Sequence, residues 1–252
     1  MKTEQLARVA IVTGAAGGIG RATVARLVSA RYYVVAVDRE AKGLEMVFGK
    51  QDCVTSVAQD ITSPSASSSI VALAMQHYGR IDALVNNAGI GAAKSVEKTT
   101  DEELDTFLDV NLKGAFRLSR EVLKVFSPGA CIVNVSSTFG LIGFPDSSSY
   151  AVTKSALVGL TRQMAVDYGP RGIRVNAVAP GLISSPLTRE RISSNHLYRD
   201  LLVRGTPFPR IGETTDIANA INFLCSEEAS FINGHILTVD GGWSATRYLS
   251  AT

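Results

Sequence analysis

Seven short apolar runs recur along the chain, most of them followed by a longer stretch with helical spacing. This alternation constrains the fold more than any single motif. Residues 8–13, 33–38, 54–58, 81–86, 130–136, 173–179 and 236–240 read as strands. Most are apolar throughout instead of alternating, the pattern of strands covered on both faces. Residues 20–30, 65–78, 101–126, 149–168 and 215–225 read as helices. The serine-rich stretch 63–69 opens a helical pattern, with Pro64 near its start. The rhythm predicts an α/β fold: a doubly wound, seven-stranded, mainly parallel sheet with helices on both faces. No linker or repeat interrupts it, so residues 1–252 read as one domain. Right-handed crossovers put the ligand crevice at the carboxyl ends of the strands.

Composition narrows the function. The 25 Lys and Arg nearly balance 23 Asp and Glu, and no basic stripe interleaves with aromatics, so nucleic acid is not expected as partner. No apolar stretch reaches the ~18 residues of a membrane span, and Glu4 sits where a signal peptide wants only basic residues. Cys53, Cys131 and Cys225 stand far apart with no CxxC and read as reduced thiols. The three histidines are scattered, so no metal site is expected. The expected setting is cytoplasmic.

The first strand runs into Thr13-Gly14-Ala15-Ala16-Gly17-Gly18-Ile19-Gly20 and then a helix. Glycines at this bend let backbone approach a pyrophosphate, and the helix N-terminus supplies N–H groups and a positive dipole end. A tight turn alone also wants glycine; the position at the first strand, first helix and first crossover carries the argument. The second strand ends at Asp38, 18 residues past Gly20. A carboxylate there accepts from both ribose hydroxyls of an adenosine and repels a 2′-phosphate, which favours NAD. Arg39 follows directly and could attract that phosphate, so NADP stays open.

Tyr150 and Lys154 are four apart and share a helix face. A free tyrosine titrates near ~10; a neighbouring ammonium favours the phenolate and lowers that value. Such a tyrosine can take a proton from an alcohol or return one to a carbonyl. Ser137 ends a central strand 13 residues earlier, where its hydroxyl can polarise a substrate oxygen. Ser136 competes for that role, since neighbours on a strand point to opposite sides.

With Asn86-Asn87-Ala88-Gly89 after the fourth strand and Asn111 in the fourth helix, the ensemble resembles the single-domain short-chain dehydrogenase/reductases, which have a Rossmann-like fold. The resemblance spans about residues 5–243. It implies a catalytic set of Asn111, Ser137, Tyr150 and Lys154, with Asn111 anchoring a water in a proton relay through Lys154. Its serine-to-tyrosine spacing selects Ser137. It also implies cofactor contacts from Gly14, Gly18, Ile19, Gly20, Asp38, Asp60, Ile61, Asn87, Ala88 and Gly89. Tyr150, Lys154, Pro180, Gly181 and Ile183 join these around the nicotinamide. NADP-binding members often carry a basic residue where Gly17 stands. Thr153 stands where the family often has serine, and Ser185 where it often has threonine.

The expected function is hydride transfer between NAD(H) and a secondary alcohol or ketone, with Tyr150 as general acid/base. One alternative is an NADPH-dependent carbonyl or 3-oxoacyl thioester reductase. Another is a non-catalytic NAD-binding regulator or scaffold. The substrate pocket is expected from residues 90–94, 138–149 and a lid at about 184–208, offering Phe139, Leu141, Ile142, Phe144, Leu187, His196 and Tyr198. The segment 182–208, with its prolines and polar residues, reads as an insertion outside the strand–helix rhythm. Arg189, Arg191, Arg199 and Arg204 on it read as a solvated face, with a carboxylate clamp as the alternative. The resemblance implies a homotetramer. The tail around Trp243 to Tyr248 is a candidate cover for a neighbouring subunit's pocket.

Overall fold

The computed structural model describes residues 8–49, 51–91 and 93–245. In chain order the elements begin β1 (Arg8–Thr13), α1 (Gly18–Ser29), β2 (Tyr32–Asp38), α2 (Ala41–Phe48), β3 (Val54–Ala58), α3 (Ala66–Tyr78) and β4 (Ala83–Asn86). Then come α4 (Asp101–Leu108), α5 (Gly114–Val122), β5 (Cys131–Val135), α6 (Ser148–Tyr168) and β6 (Arg174–Pro180). The last third holds β7 (Ile183–Ser184), α7 (Pro186–Ser194), the short α8 (His196–Tyr198), β8 (Gly212–Glu213), α9 (Thr214–Cys225) and β9 (Ile236–Val239).

Seven strands form one sheet in the order β3-β2-β1-β4-β5-β6-β9, every pairing parallel. The Rossmann-like topology follows from the apolar runs. Successive strand side chains point to opposite faces, so a strand covered on both must be apolar at every position. Ala10, Val12, Val34 and Ala36 pack with Val24 and Leu27 of α1 and with Ile217, Ile221 and Leu224 of α9. On the other face, Ile11, Val35, Val37 and Leu84 pack with Ile70 of α3, Leu118 and Val122 of α5 and Met164 of α6. The strand order changes direction between β1 and β4, and this switch opens the crevice at their carboxyl ends.

Three local features differ from the sequence expectation. Helix α2 went unread: it buries only Leu44 and Phe48, one turn apart, and Gly43 interrupts it. The single helix expected over 101–126 is broken into α4 and α5 by a π-helical turn at Asp109–Lys113, closed by the Gly114 N–H donating to Asp109 O five residues back. Helix α4 starts at a capping box: Thr100 Oγ1 accepts the Glu103 N–H and Glu103 Oε2 accepts the Thr100 N–H, both at 3.2 Å. The segment 182–208 is largely helical, through α7, α8 and a second π-helical turn at Arg199–Val203. Strand β7 pairs β8 in a small parallel sheet of its own. Its helices lack a regular apolar stripe, which hid them from periodicity. Thr246, Arg247 and Tyr248 of the expected tail cover lie outside the described residues.

Candidate active site

The turn after β1 leaves no room for a side chain at Gly14 or Gly20. Gly14 adopts φ +64°, and a Cβ there would lie 2.8 Å from Ala88 Cα. A Cβ on Gly20 would lie 2.0 Å from Gly14 O. The turn is stapled to the end of β4. Thr13 Oγ1 accepts the N–H groups of Asn87 and Ala88, both at 3.1 Å. Asn87 Nδ2 donates to Thr13 O at 2.9 Å and Gly14 O at 3.1 Å. The Asn87 side chain therefore shapes the glycine loop. Asp38 orients its carboxylate by accepting from the N–H of Ala16 at 3.0 Å and of Glu40 at 3.1 Å. Arg39 beside it is exposed and meets Glu40 only at 3.6 Å.

These groups line a recess of about 470 Å³, with Gly14, Gly18, Ile19, Gly20, Asp38, Asp60, Ile61, Asn87, Ala88 and Gly89 on its walls. The Thr62 N–H and hydroxyl, both at 2.8 Å, hold the Asp60 carboxyl below its usual range. Helix α1 begins at Gly17 with no side-chain cap and no acidic residue in its first turn. An uncapped N-terminus above a glycine turn, with a carboxylate at the far end, fits a dinucleotide.

A second recess of about 460 Å³ continues from the first, and Ile19, Asn87, Gly89, Ile90 and Ser185 line both. Ser137, Tyr150, Lys154, Pro180, Gly181 and Ile183 line the second. Lys154 is buried on α6; its Nζ donates to Val135 O at 2.7 Å and lies 5.7 Å from the Tyr150 ring centre. Burial pushes its ammonium down to about 8. The two serines separate clearly. Ser136 Oγ donates to Lys154 O at 2.8 Å, whereas Ser137 lines the cleft and its Oγ accepts the nearby Phe139 N–H at 3.2 Å.

Asn111 sits in the π-helical turn, buried behind the cleft and absent from its described lining. Its Oδ1 accepts the Ile90 N–H at 2.8 Å, and its Nδ2 donates to Ile90 O at 3.0 Å and Thr153 Oγ1 at 3.2 Å. Gly89 lies between it and Lys154: a Cβ there would be 3.2 Å from Asn111 Oδ1 and 3.3 Å from Lys154 Nζ.

Phe139, Phe144 and Tyr198 line the substrate side as expected, but Leu141 and Ile142 are exposed and, with His196, are not part of the described lining. The side chains of Leu187 and Arg191 lie outside the described residues. Arg204 pairs with Asp200 at 3.3 Å and Arg199 turns to His196, so neither reads as a clamp. Sequence reasoning missed the buried ladder in which Asn86 Nδ2 donates to Asn134 Oδ1 at 2.8 Å and Asn134 Nδ2 to Thr161 Oγ1 at 2.9 Å. Asparagine inside apolar strands was the available signal. It gave no separate role to Thr13, whose hydroxyl holds the end of β4, while Asp146 lines the cleft within the expected stretch 138–149. Among the described residues, no three His, Cys, Asp or Glu side chains group as metal ligands, and no helix is long and apolar enough to cross a membrane.

Residues 14–244 match the family model described as Enoyl-(Acyl carrier protein) reductase. A short-chain type dehydrogenase/reductase of Sinorhizobium fredii is 40% identical over 95% of this chain, which spans only 44% of that longer relative. The 2-(R)-hydroxypropyl-CoM dehydrogenase of Xanthobacter autotrophicus is 37% identical over 95% of this chain and 100% of its own length. Among solved structures, levodione reductase superposes with TM-score 0.90 at 34% identity, covering 95% of this chain and 98% of that one. A Brucella melitensis 3-ketoacyl-(acyl-carrier-protein) reductase complexed with NADH superposes at 0.86 with 34% identity, and ElxO with NADP bound at 0.86 with 30%. These cover 94% and 95% of this chain and 98% and 100% of their own.

Proposed function

The chain belongs to the short-chain dehydrogenase/reductase family of nicotinamide-dependent oxidoreductases, and on that premise we propose that it transfers a hydride between NAD(H) and a secondary alcohol or ketone. The carrying observation is that Ser137, Tyr150 and Lys154 line a cleft continuous with the dinucleotide-shaped recess. When bound, the cofactor supplies the hydride acceptor or donor. Ser137 holds the substrate oxygen and Tyr150 exchanges its proton. The buried Lys154 ammonium favours the Tyr150 phenolate. Asn111 acts behind them by fixing Ile90 and the start of α6, alongside the relay role the resemblance implies. The chain works as one domain, with residues 184–208 as its lid.

Asp38 supports NAD over NADP, because its oriented carboxylate opposes a 2′-phosphate. Arg39 on the same recess supports the second reading, an NADPH-dependent carbonyl or 3-oxoacyl thioester reductase. Separate titrations with NAD and NADP test the preference, and tighter NADP binding overturns it. Tyr150→Phe tests the chemistry: it should bind cofactor and lose turnover. Retained turnover removes Tyr150 from its role, and a wild type that binds cofactor but turns over no alcohol or ketone leaves the regulator reading.

Two broader proposals accompany this. Exposed Val152 and Val166 on α6 and Phe116 on α5 support the homotetramer, which sedimentation would test. Free thiols at Cys53, Cys131 and Cys225 support a reducing, cytoplasmic setting.

A further inference from the structure

Rings, not charges, form the substrate side of the cleft. Phe139 and Phe144 stack face to face, with centres 4.3 Å apart and planes 9° apart. Tyr150 stands edge-on to Phe139 at 6.2 Å, and Tyr198 edge-on to Phe144 at 6.2 Å. Trp243 leans on both phenylalanines at 6.0 and 6.3 Å, held by its Nε1 donating to Leu201 O at 2.7 Å. The reacting phenol is therefore one member of a row of aromatic rings. A substrate oxygen at Ser137 and Tyr150 brings one substituent of its carbon against this row, where another ring finds stacking and edge contacts.

The charges point the same way. Among the described residues, the charged side chains lining the cleft are Lys154 and Asp146. The Lys154 ammonium donates to Val135 O. Asp146 is exposed and held at φ +50°. A carboxylate or phosphate on the substrate would lose hydration here with Lys154, already bonded to Val135 O, as the single described cation of the lining, and would meet the Asp146 carboxylate.

Resting on the oxidoreductase reading above, we propose that the substrate is an uncharged, ring-bearing ketone or its secondary alcohol, with the ring seated against Phe139 and Phe144. With NAD or NADP supplied, kcat/KM is compared for 1-phenylethanol, for mandelate with the same ring and an added carboxylate, and for 2-butanol without a ring. 1-Phenylethanol should exceed each of the others at least tenfold. Phe144→Ala should raise its KM at least tenfold and narrow its lead over 2-butanol; Phe144→Leu, which keeps volume and loses the ring, should fall between. Asp146→Lys should raise mandelate relative to 1-phenylethanol. Equal or better use of 2-butanol or mandelate by the wild type overturns the proposal and leaves the oxidoreductase reading standing.

A binding measurement separates the two ideas. Trp243 is the chain's single tryptophan, so its emission reports on the aromatic row. In the Tyr150→Phe protein, acetophenone should change that emission saturably, at an at least tenfold higher concentration once Phe144→Ala is added and at an intermediate one with Phe144→Leu. A saturable signal without turnover of any alcohol by the wild type keeps the ring site and overturns the oxidoreductase reading. No saturable signal overturns the ring site.

Discussion

The hydroxyl of Ser136 donates to the carbonyl oxygen of Lys154 at 2.8 Å, so the residue beside Ser137 anchors the helix that carries the lysine. Two adjacent serines thereby take different work. Ser136→Ala should cost about 1 kcal/mol of stability, the net worth of one buried hydrogen bond, with a modest loss of turnover. Ser137→Ala should lower kcat at least ~100-fold, the scale of removing one donor to a reacting oxygen, with a smaller stability change. Urea unfolding and steady-state kinetics on both variants check this.

The burial of Lys154 sets a pH dependence. Its ammonium is pushed down to about 8 from the ordinary 10.5. Between those values the unfolded chain holds a proton that the folded chain has released, so this residue's contribution to stability rises with pH across the window. Below 8 the burial penalty stands in full. Lys154→Met should therefore gain stability relative to wild type at pH 7, and the gain should shrink toward pH 10.5. Its alcohol oxidation should fall at least ~100-fold, with the remaining rise in rate moved toward ~10, the range of an unassisted tyrosine. Denaturation at several pH values and a pH–rate profile read both effects.

Asp38 accepts the Ala16 N–H at 3.0 Å and so faces the recess beside the glycine turn. Asp38→Ser should weaken NAD about 10- to 100-fold, the range of hydrogen bonds to a charged acceptor, and should strengthen NADP. Adding Arg39→Ala should reverse the NADP gain. The dissociation constants of wild type and both variants for NAD and for NADP decide it.

Asn111 bridges both backbone groups of Ile90 and the hydroxyl of Thr153. Asn111→Ala strands those groups and should cost about 2–3 kcal/mol as well as turnover. Tyr150→Phe should lose turnover with a much smaller stability change. Paired denaturation midpoints and kcat values distinguish a residue that positions from one that reacts.

A Cβ at position 20 would lie 2.0 Å from Gly14 O. Gly20→Ala should open the turn, weaken either dinucleotide at least ~10-fold and lower the unfolding midpoint. Cofactor titration and thermal unfolding test it.

The sheet was legible in the sequence because parallel strands covered on both faces leave a continuous apolar run. All seven strands of the sheet fall within two residues of their expected bounds, from Arg8–Thr13 to Ile236–Val239. The positions of the glycine turn, Asp38, Tyr150 and Lys154 at the crevice were legible because spacing on one strand or helix is local, whereas the choice of Ser137 over Ser136 came from the family resemblance. Helix α2 was not, since its eight residues span too few turns to establish a period, nor were the helices of residues 182–208, whose apolar residues are too few.

The amino-acid sequence by itself determined the doubly wound architecture and the residue types that meet at its switch point. Tertiary structure decided how those residues divide their hydrogen bonds. It turned Ser136 toward α6, committed the Asn87 side chain to the glycine loop and the Asn111 side chain to Ile90, and gathered Phe139, Phe144, Tyr198 and Trp243 into one row. The physical reason is range. Periodicity records which face of an element is buried, but a buried polar group bonds whatever partner packing brings within reach, and those partners lie far off in the chain, 74 residues between Asn87 and Thr13 and 193 between the Tyr32 hydroxyl and Cys225 O.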